Sequence, residues 1–191
     1  MKRSTVLAPG LLVLAMVLPV SSSSAQSGVW FLKIRHSGKC LHQQGARYED
    51  DARISQWSCV NQPNVKLRKI PVDGTYFLLQ FVHSEKCVHV HGGYPTPRDT
   101  PVTQWTCPRD VRSGGADHFL WREEPVSTGY IFLISRAGDP QAKKENIPGE
   151  QKYGGPPVCL HQRGATHKDG DAITTWDCVD IPNVHWKFEP A

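Results

Sequence analysis

At 191 residues the chain has room for one globular domain. Its formal net charge is +4, and the basic residues are scattered singly rather than clustered, which excludes a phosphate-tracking surface for nucleic acid. The 6 cysteines, in a chain of this size, point to a disulfide framework if the protein is exported.

The first segment bears on export. Met1, Lys2 and Arg3 form a short basic start, Leu11 to Val20 is an apolar run, and Ser21 to Ala25 is a stretch of small residues ending at a cleavage point before Gln26. That order predicts a secretory signal peptide over residues 1–25, with an apolar run too short for a membrane span. A buried N-terminal helix is the alternative. Lys2 and Arg3 would leave with the signal peptide, so the mature chain is expected to be exported, extracellular or periplasmic, and only weakly basic. No other segment is apolar enough to suggest a membrane span.

The rest of the chain, residues 28–191, repeats itself three times, at about 29–73, 74–126 and 127–191. The first copy holds Phe31-Leu32-Lys33-Ile34, then His36-Ser37-Gly38-Lys39-Cys40-Leu41-His42. Ile54-Ser55-Gln56-Trp57-Ser58-Cys59 follows, and Pro63-Asn64-Val65-Lys66-Leu67 ends it. The second holds His83-Ser84-Glu85-Lys86-Cys87-Val88-His89, Val102-Thr103-Gln104-Trp105-Thr106-Cys107 and His118-Phe119-Leu120-Trp121. The third holds Ile131-Phe132-Leu133-Ile134, Cys159-Leu160-His161, Ile173-Thr174-Thr175-Trp176-Asp177-Cys178 and Pro182-Asn183-Val184-His185-Trp186.

The cysteines of the three copies are separated by 19, 20 and 19 residues. Cysteines recurring at the same phase of each unit are most simply paired inside the unit, giving Cys40–Cys59, Cys87–Cys107 and Cys159–Cys178; pairing between copies is the alternative. Each unit contains short runs of β-branched and aromatic residues separated by Gly, Pro, Asp and Asn, and the chain after residue 26 shows no sustained helical period. An all-β, closed three-fold arrangement is expected, since closure leaves no exposed sheet edge. Between Ser135 and Val158 the third copy carries a polar insertion rich in turn residues, expected to be an exposed loop. A shorter insertion, Arg109 to Asp117, sits at the end of the second copy.

The three Cys-Leu/Val-His starts, the three Trp-x-Cys elements and the terminal Trp121 and Trp186 resemble the ricin-B-type (R-type, QxW) lectin family over about Val29 to Pro190. The resemblance implies a β-trefoil that binds carbohydrate without catalysis. It also implies a core role for the end of each unit. The Trp of the family's Gln-x-Trp motif is kept at Trp121 and Trp186 and becomes Leu67, while its Gln position is the apolar Val65, Phe119 and Val184.

The resemblance implies one shallow sugar pocket per unit. Trp57, Trp105 and Trp176 would be platforms for the C–H face of a sugar ring. Ser55, Thr103 and Thr174, with Asn64, His118 and Asn183, would bind hydroxyls. At the second residue after the first Cys the family has Asp, an acceptor for two neighbouring hydroxyls. This chain has His42, His89 and His161, and a neutral imidazole offers one acceptor and one donor. Because Leu41, Val88 and Leu160 should face inward, the three His should face outward, and binding should fade on acidification near an unperturbed pKa of about 6.5. The third unit, which keeps Trp176, Asn183 and Trp186 together, is expected to be the better site.

Other chemistry is weakly represented. His89-x-His91 has no evident third partner, so no metal is expected, and no cofactor is implied. No nucleophile elbow, His-Glu-x-x-His motif or phosphate loop is present, which argues against an enzyme. The expected partner is a glycan or polysaccharide. The competing reading is a trefoil that binds a protein, as a subunit of a toxin or exported complex, through the third-copy insertion.

Overall fold

The computed structural model describes residues 28–92, 97–112, 114–127, 129–142 and 155–191. The expected signal peptide and residues 143–154 of the third-copy insertion lie outside the described residues. Among the described residues there are twelve strands and no α-helix. The first unit supplies β1 (Val29–Ile34), β2 (Cys40–Gln43), β3 (Ile54–Trp57) and β4 (Leu67–Pro71). The second supplies β5 (Phe77–Phe81), β6 (Cys87–Val90), β7 (Val102–Trp105) and β8 (Leu120–Ser127). The third supplies β9 (Tyr130–Ser135), β10 (Val158–Gln162), β11 (Ile173–Asp177) and β12 (Trp186–Pro190).

In every unit the outer two strands pair with each other and the inner two form a hairpin. Between units β4 pairs with β5, β8 with β9, and β12 with β1, all antiparallel. The outer strands therefore close into a barrel, and the hairpins cap one end of it. The hairpins meet at bridges joining Arg53 to Thr103, Pro101 to Thr174 and Ser55 to Ala172. This is a β-trefoil.

The apolar alternation of the three units converges on one core. Leu32, Leu79 and Leu133 form one set of equivalent positions in it; Leu41, Val88 and Leu160 form a second, and Ile54, Val102 and Ile173 a third. Leu67, Trp121 and Trp186 complete it, all fully buried. The two indoles stay paired there, Trp121 Nε1 donating to Val88 O at 3.3 Å and Trp186 Nε1 to Leu160 O at 2.8 Å. Leu67 fills the same position without a donor to satisfy. Val65, Phe119 and Val184 are buried as well, so the apolar replacements of the Gln position are core residues. The disulfides are Cys40–Cys59, Cys87–Cys107 and Cys159–Cys178, each within one unit. Each closes a loop of about 20 residues, worth roughly 3 kcal/mol in chain entropy.

The repeated His-Ser-x-Lys segments, to which the sequence alone assigns no role, join one unit to the next. Gln56 and Gln104 are fully buried, and their amides donate across a unit boundary: Gln56 Nε2 to Thr166 O (3.0 Å) and Lys168 O (2.7 Å), Gln104 Nε2 to Arg47 O (3.0 Å) and Glu49 O (2.9 Å). Ser37 and Ser84 hydroxyls donate to the Oε1 of these amides, each at 2.7 Å. The lysines then reach an acid of the neighbouring unit, Lys39 Nζ to Asp169 and Lys86 Nζ to Asp50, both at 2.6 Å. The third unit lacks both the Ser and the Gln; its Thr175 Oγ1 donates to Pro97 O at 2.9 Å. At that boundary the ion pair is reversed, with Arg98 of the second unit on Asp177 of the third.

The start of the third-copy insertion is tied down by a buried acid. Asp139 is 1 % exposed and accepts from Tyr76 Oη (2.8 Å), from Gln141 N (2.9 Å) and from the Arg122 guanidinium, whose Nη2 lies at 3.2 Å. Burial alone would raise the Asp139 pKa, but Arg122 and the other donors bring it below the usual carboxylate range. Removing one partner of such a pair strands the other charge in the interior. Asp139→Ala should therefore cost about 3–5 kcal/mol in urea unfolding. Asp169→Ala, which breaks a solvent-exposed pair, should cost about 1 kcal/mol or less.

Candidate functional site

On the outer side of each hairpin the four residues expected from sequence come together, in all three units. In the first, His42 Nδ1 lies 3.1 Å from Ser55 Oγ, and Asn64 Nδ2 lies 3.0 Å from His42 Nε2. The Trp57 ring sits over the imidazole, centroids 5.1 Å apart at 32°. The third unit reproduces this arrangement. His161 Nδ1 is 2.9 Å from Thr174 Oγ1, Asn183 Nδ2 is 2.9 Å from His161 Nε2, and the Trp176 centroid is 5.4 Å away at 31°.

The partners fix the tautomer. Asn64 Nδ2 also donates to Gln43 O at 3.1 Å, and Asn183 Nδ2 to Gln162 O at 3.1 Å. The amide nitrogen thus spends its hydrogens on a carbonyl and on imidazole Nε2. Nε2 accepts, Nδ1 carries the proton, and that proton goes to the Ser or Thr hydroxyl. Asn64, which is half-buried, keeps its Oδ1 as an acceptor for a ligand, whereas the Ser55, Thr174 and Asn183 side chains are buried and serve to hold the imidazoles.

The second unit departs from this pattern. His89 Nδ1 is 3.5 Å from Thr103 Oγ1, its ring lies 5.5 Å from Trp105, and His118 stands where the other units have Asn, 6.1 Å from His89. Phe119 stacks on His89 at 4.6 Å, a contact the sequence did not reveal. His91 turns to Asp51 of the first unit at 2.9 Å rather than joining His89. Among the described residues no group of three His, Cys, Asp or Glu could hold a metal.

Two expectations change. The histidines do face away from the core residues Leu41, Val88 and Leu160, but they do not reach water freely. His42 and His161 are each 7 % exposed, because Trp covers one side and Asn64 or Asn183 closes over Nε2, and His89 is half-buried against Trp105 and Phe119. The platforms also differ. Trp57 and Trp105 are 37 % and 38 % exposed, whereas Trp176 is half-buried, with the Arg98 guanidinium 5.5 Å from its centroid. Arg98 comes from the second unit, 78 residues earlier in the chain, so nothing local in the third unit pointed to it.

Burial lowers all three imidazole pKa values. For His42 the nearby Asp169 opposes the shift. For His89, burial is reinforced by His118 and His91, leaving it at about 4. For His161, burial outweighs the opposing Asp99, again leaving about 4. The folded protein thus refuses protons that the unfolded chain binds from pH 6.5 downward, so this contribution to stability is complete above 6.5 and lost as pH falls toward 4. Titration of the His161 ring by NMR should show a midpoint near 4, and one near 6.5 would refute the buried neutral network.

Residues 17–105 match the family model described as ricin-type beta-trefoil lectin domain-like. No curated protein sequence matches the chain. Among solved structures it is similar to the designed 3-fold symmetric protein ThreeFoil, with TM-score 0.69 and 23% identity over 86% of this chain and 99% of that one. It is similar to an exo-beta-1,3-galactanase from Clostridium thermocellum, with TM-score 0.70 and 20% identity over 87% of this chain but only 31% of the galactanase chain. It is also similar to the Macrolepiota procera ricin B-like lectin in complex with lactose, with TM-score 0.63 and 10% identity over 89% of this chain and 100% of that one. The likeness to the structures is one of fold, and the matched segment holds the whole first unit and the β5–β7 part of the second. The third unit repeats the strand order and polar network of the first, so the described residues form one β-trefoil whose first half matches the ricin-type lectin-like model.

Proposed function

We propose that the protein is a secreted, non-catalytic carbohydrate-binding protein with up to three shallow sites, of which that of the first unit is the most competent. The observation that carries this reading is the exposed Trp57 indole beside a complete His42–Ser55–Asn64 network. A sugar can lay its C–H face on the indole while one of its hydroxyls donates to Asn64 Oδ1. At the third site a ligand would have to share Trp176 with Arg98. At the second, His118 offers an imidazole where the others offer an amide. The basic start, apolar run and small-residue stretch over residues 1–25 support export. Single shallow sites bind weakly, so several sites on one branched or polymeric glycan would supply avidity.

A glycan array with the exported protein tests this reading. Trp57→Ala should weaken binding by about ten-fold or more, with a smaller loss for Trp176→Ala. Because burial holds the His89 and His161 imidazoles at about 4, binding at the second and third sites should be alike at pH 5.5 and 7.5. If no glycan binds to protein with all three disulfides intact, the sugar-binding reading fails.

A further inference from the structure

Where the three hairpins meet there is a cavity of about 350 Å³. It shares Thr103 and Thr174 with the outer sites but none of their tryptophans. Its floor is Ile54, Val102 and Ile173, one from each unit. The rim repeats as well. The residue that follows the second strand is Gln44, His91 or Arg163, and the residue with positive φ ahead of the third strand is Asp51, Asp99 or Gly170.

These rim residues pair cyclically, the acid of one unit with the following unit. Asp51 Oδ1 lies 2.9 Å from His91 Nδ1, and Asp99 Oδ2 lies 2.9 Å from Arg163 Nη2. The third pair would join the last unit to Gln44 of the first, and there the acid is missing. An added Cβ at Gly170 would meet nothing within 4 Å, so the space that a carboxylate fills at the two other positions is open. In the same cavity Arg53 is exposed, and among the described residues it makes no ion pair; its equivalents are the uncharged Pro101 and Ala172. The Gln44 side-chain amide is likewise exposed and without a hydrogen bond among the described residues.

We propose that this axial cavity binds a small free organic carboxylate. The ligand carboxylate stands in the place of the missing third acid, against the Arg53 guanidinium and the Gln44 amide, with the body of the ligand over the Ile54–Val102–Ile173 floor. The volume is at the small end of ligand pockets, roughly 300–1,000 Å³, which suits an acid the size of one sugar. The site contains none of the outer tryptophans, and binding in it does not require a sugar on them.

The test is a titration of the whole protein followed by backbone and side-chain amide NMR, with D-glucuronate as the probe and D-glucose, the same ring without the acid, as the control. Glucuronate should shift Gly170, the Gln44 side-chain amide and Arg53 Nε along one saturating curve, and glucose should leave them in place. Arg53→Ala should weaken glucuronate binding by about ten-fold or more. Gly170→Asp should do the same by supplying the protein's own carboxylate. Gly170 has a φ of 89°, in the same left-handed region as Asp51 and Asp99 at 63° and 60°, and a native-like amide spectrum of the variant is the check that it folds before it is titrated. Equal shifts from glucose would overturn the proposal. So would shifts confined to the Trp57, Trp105 and Trp176 indoles, or wild-type affinity in either variant.

Discussion

No unit of this chain can bury its apolar face alone. Each offers four short strands whose inward residues form only a third of the barrel lining, and each ends in a large residue, Leu67, Trp121 or Trp186, that is buried only against the others. A folded unit therefore presupposes its two neighbours. This dependence explains why polar groups at the unit boundaries are so heavily engaged. A buried amide such as Gln56 must find acceptors, and those acceptors, Thr166 O and Lys168 O, belong to another unit. The disulfides act at a different level. They close each unit on itself and reduce the freedom of the unfolded chain, while the amides and ion pairs choose the partner.

The fold was legible because it was written three times. Equal cysteine spacing, the recurring Trp-x-Cys and the alternation of apolar residues each gave a weak signal that three copies made strong. The four residues at each outer site were legible by the same route. What could not be read was whatever depends on a residue from a different unit. Lys39 meets Asp169 and Arg98 meets Trp176 across unit boundaries that no local pattern encodes. The exposure of the histidines depends on other parts of the chain for a related reason. Strand alternation gives the side of the sheet a residue faces, and His42 does face away from Leu41. Alternation is silent about Asn64, which arrives from the loop 22 residues later and closes over the ring. The buried Asp139 belongs to no repeat at all, so repetition could not reveal it.

The three units have diverged where packing allows it. Core positions vary only among apolar residues, since a change there costs volume or leaves a cavity. Coupled positions change together: the third unit has lost both the serine and the buried glutamine, for an amide without Ser37 or Ser84 beside it would leave its oxygen unpaired. The residues facing the outer sites and the hairpin axis carry no such constraint. There His118 replaces Asn, Gly170 replaces Asp, and Arg53 stands opposite Pro101 and Ala172. One scaffold thus presents three chemically different outer surfaces and an asymmetric centre.

The pairing of β12 with β1 brings the ends of the described domain together, with Ala191 N donating to Val29 O at 3.0 Å. The ring has no structural beginning. A circular permutant joined from residue 191 to residue 29 and opened instead between the first and second units, in the exposed turn around Asp73 and Gly74, would keep every strand pairing except that turn's own covalent link. The order in which the units are made is therefore not what holds them in order. That task falls to the boundary contacts, and above all to the one reversed ion pair, which marks the second and third units as neighbours wherever the chain is cut.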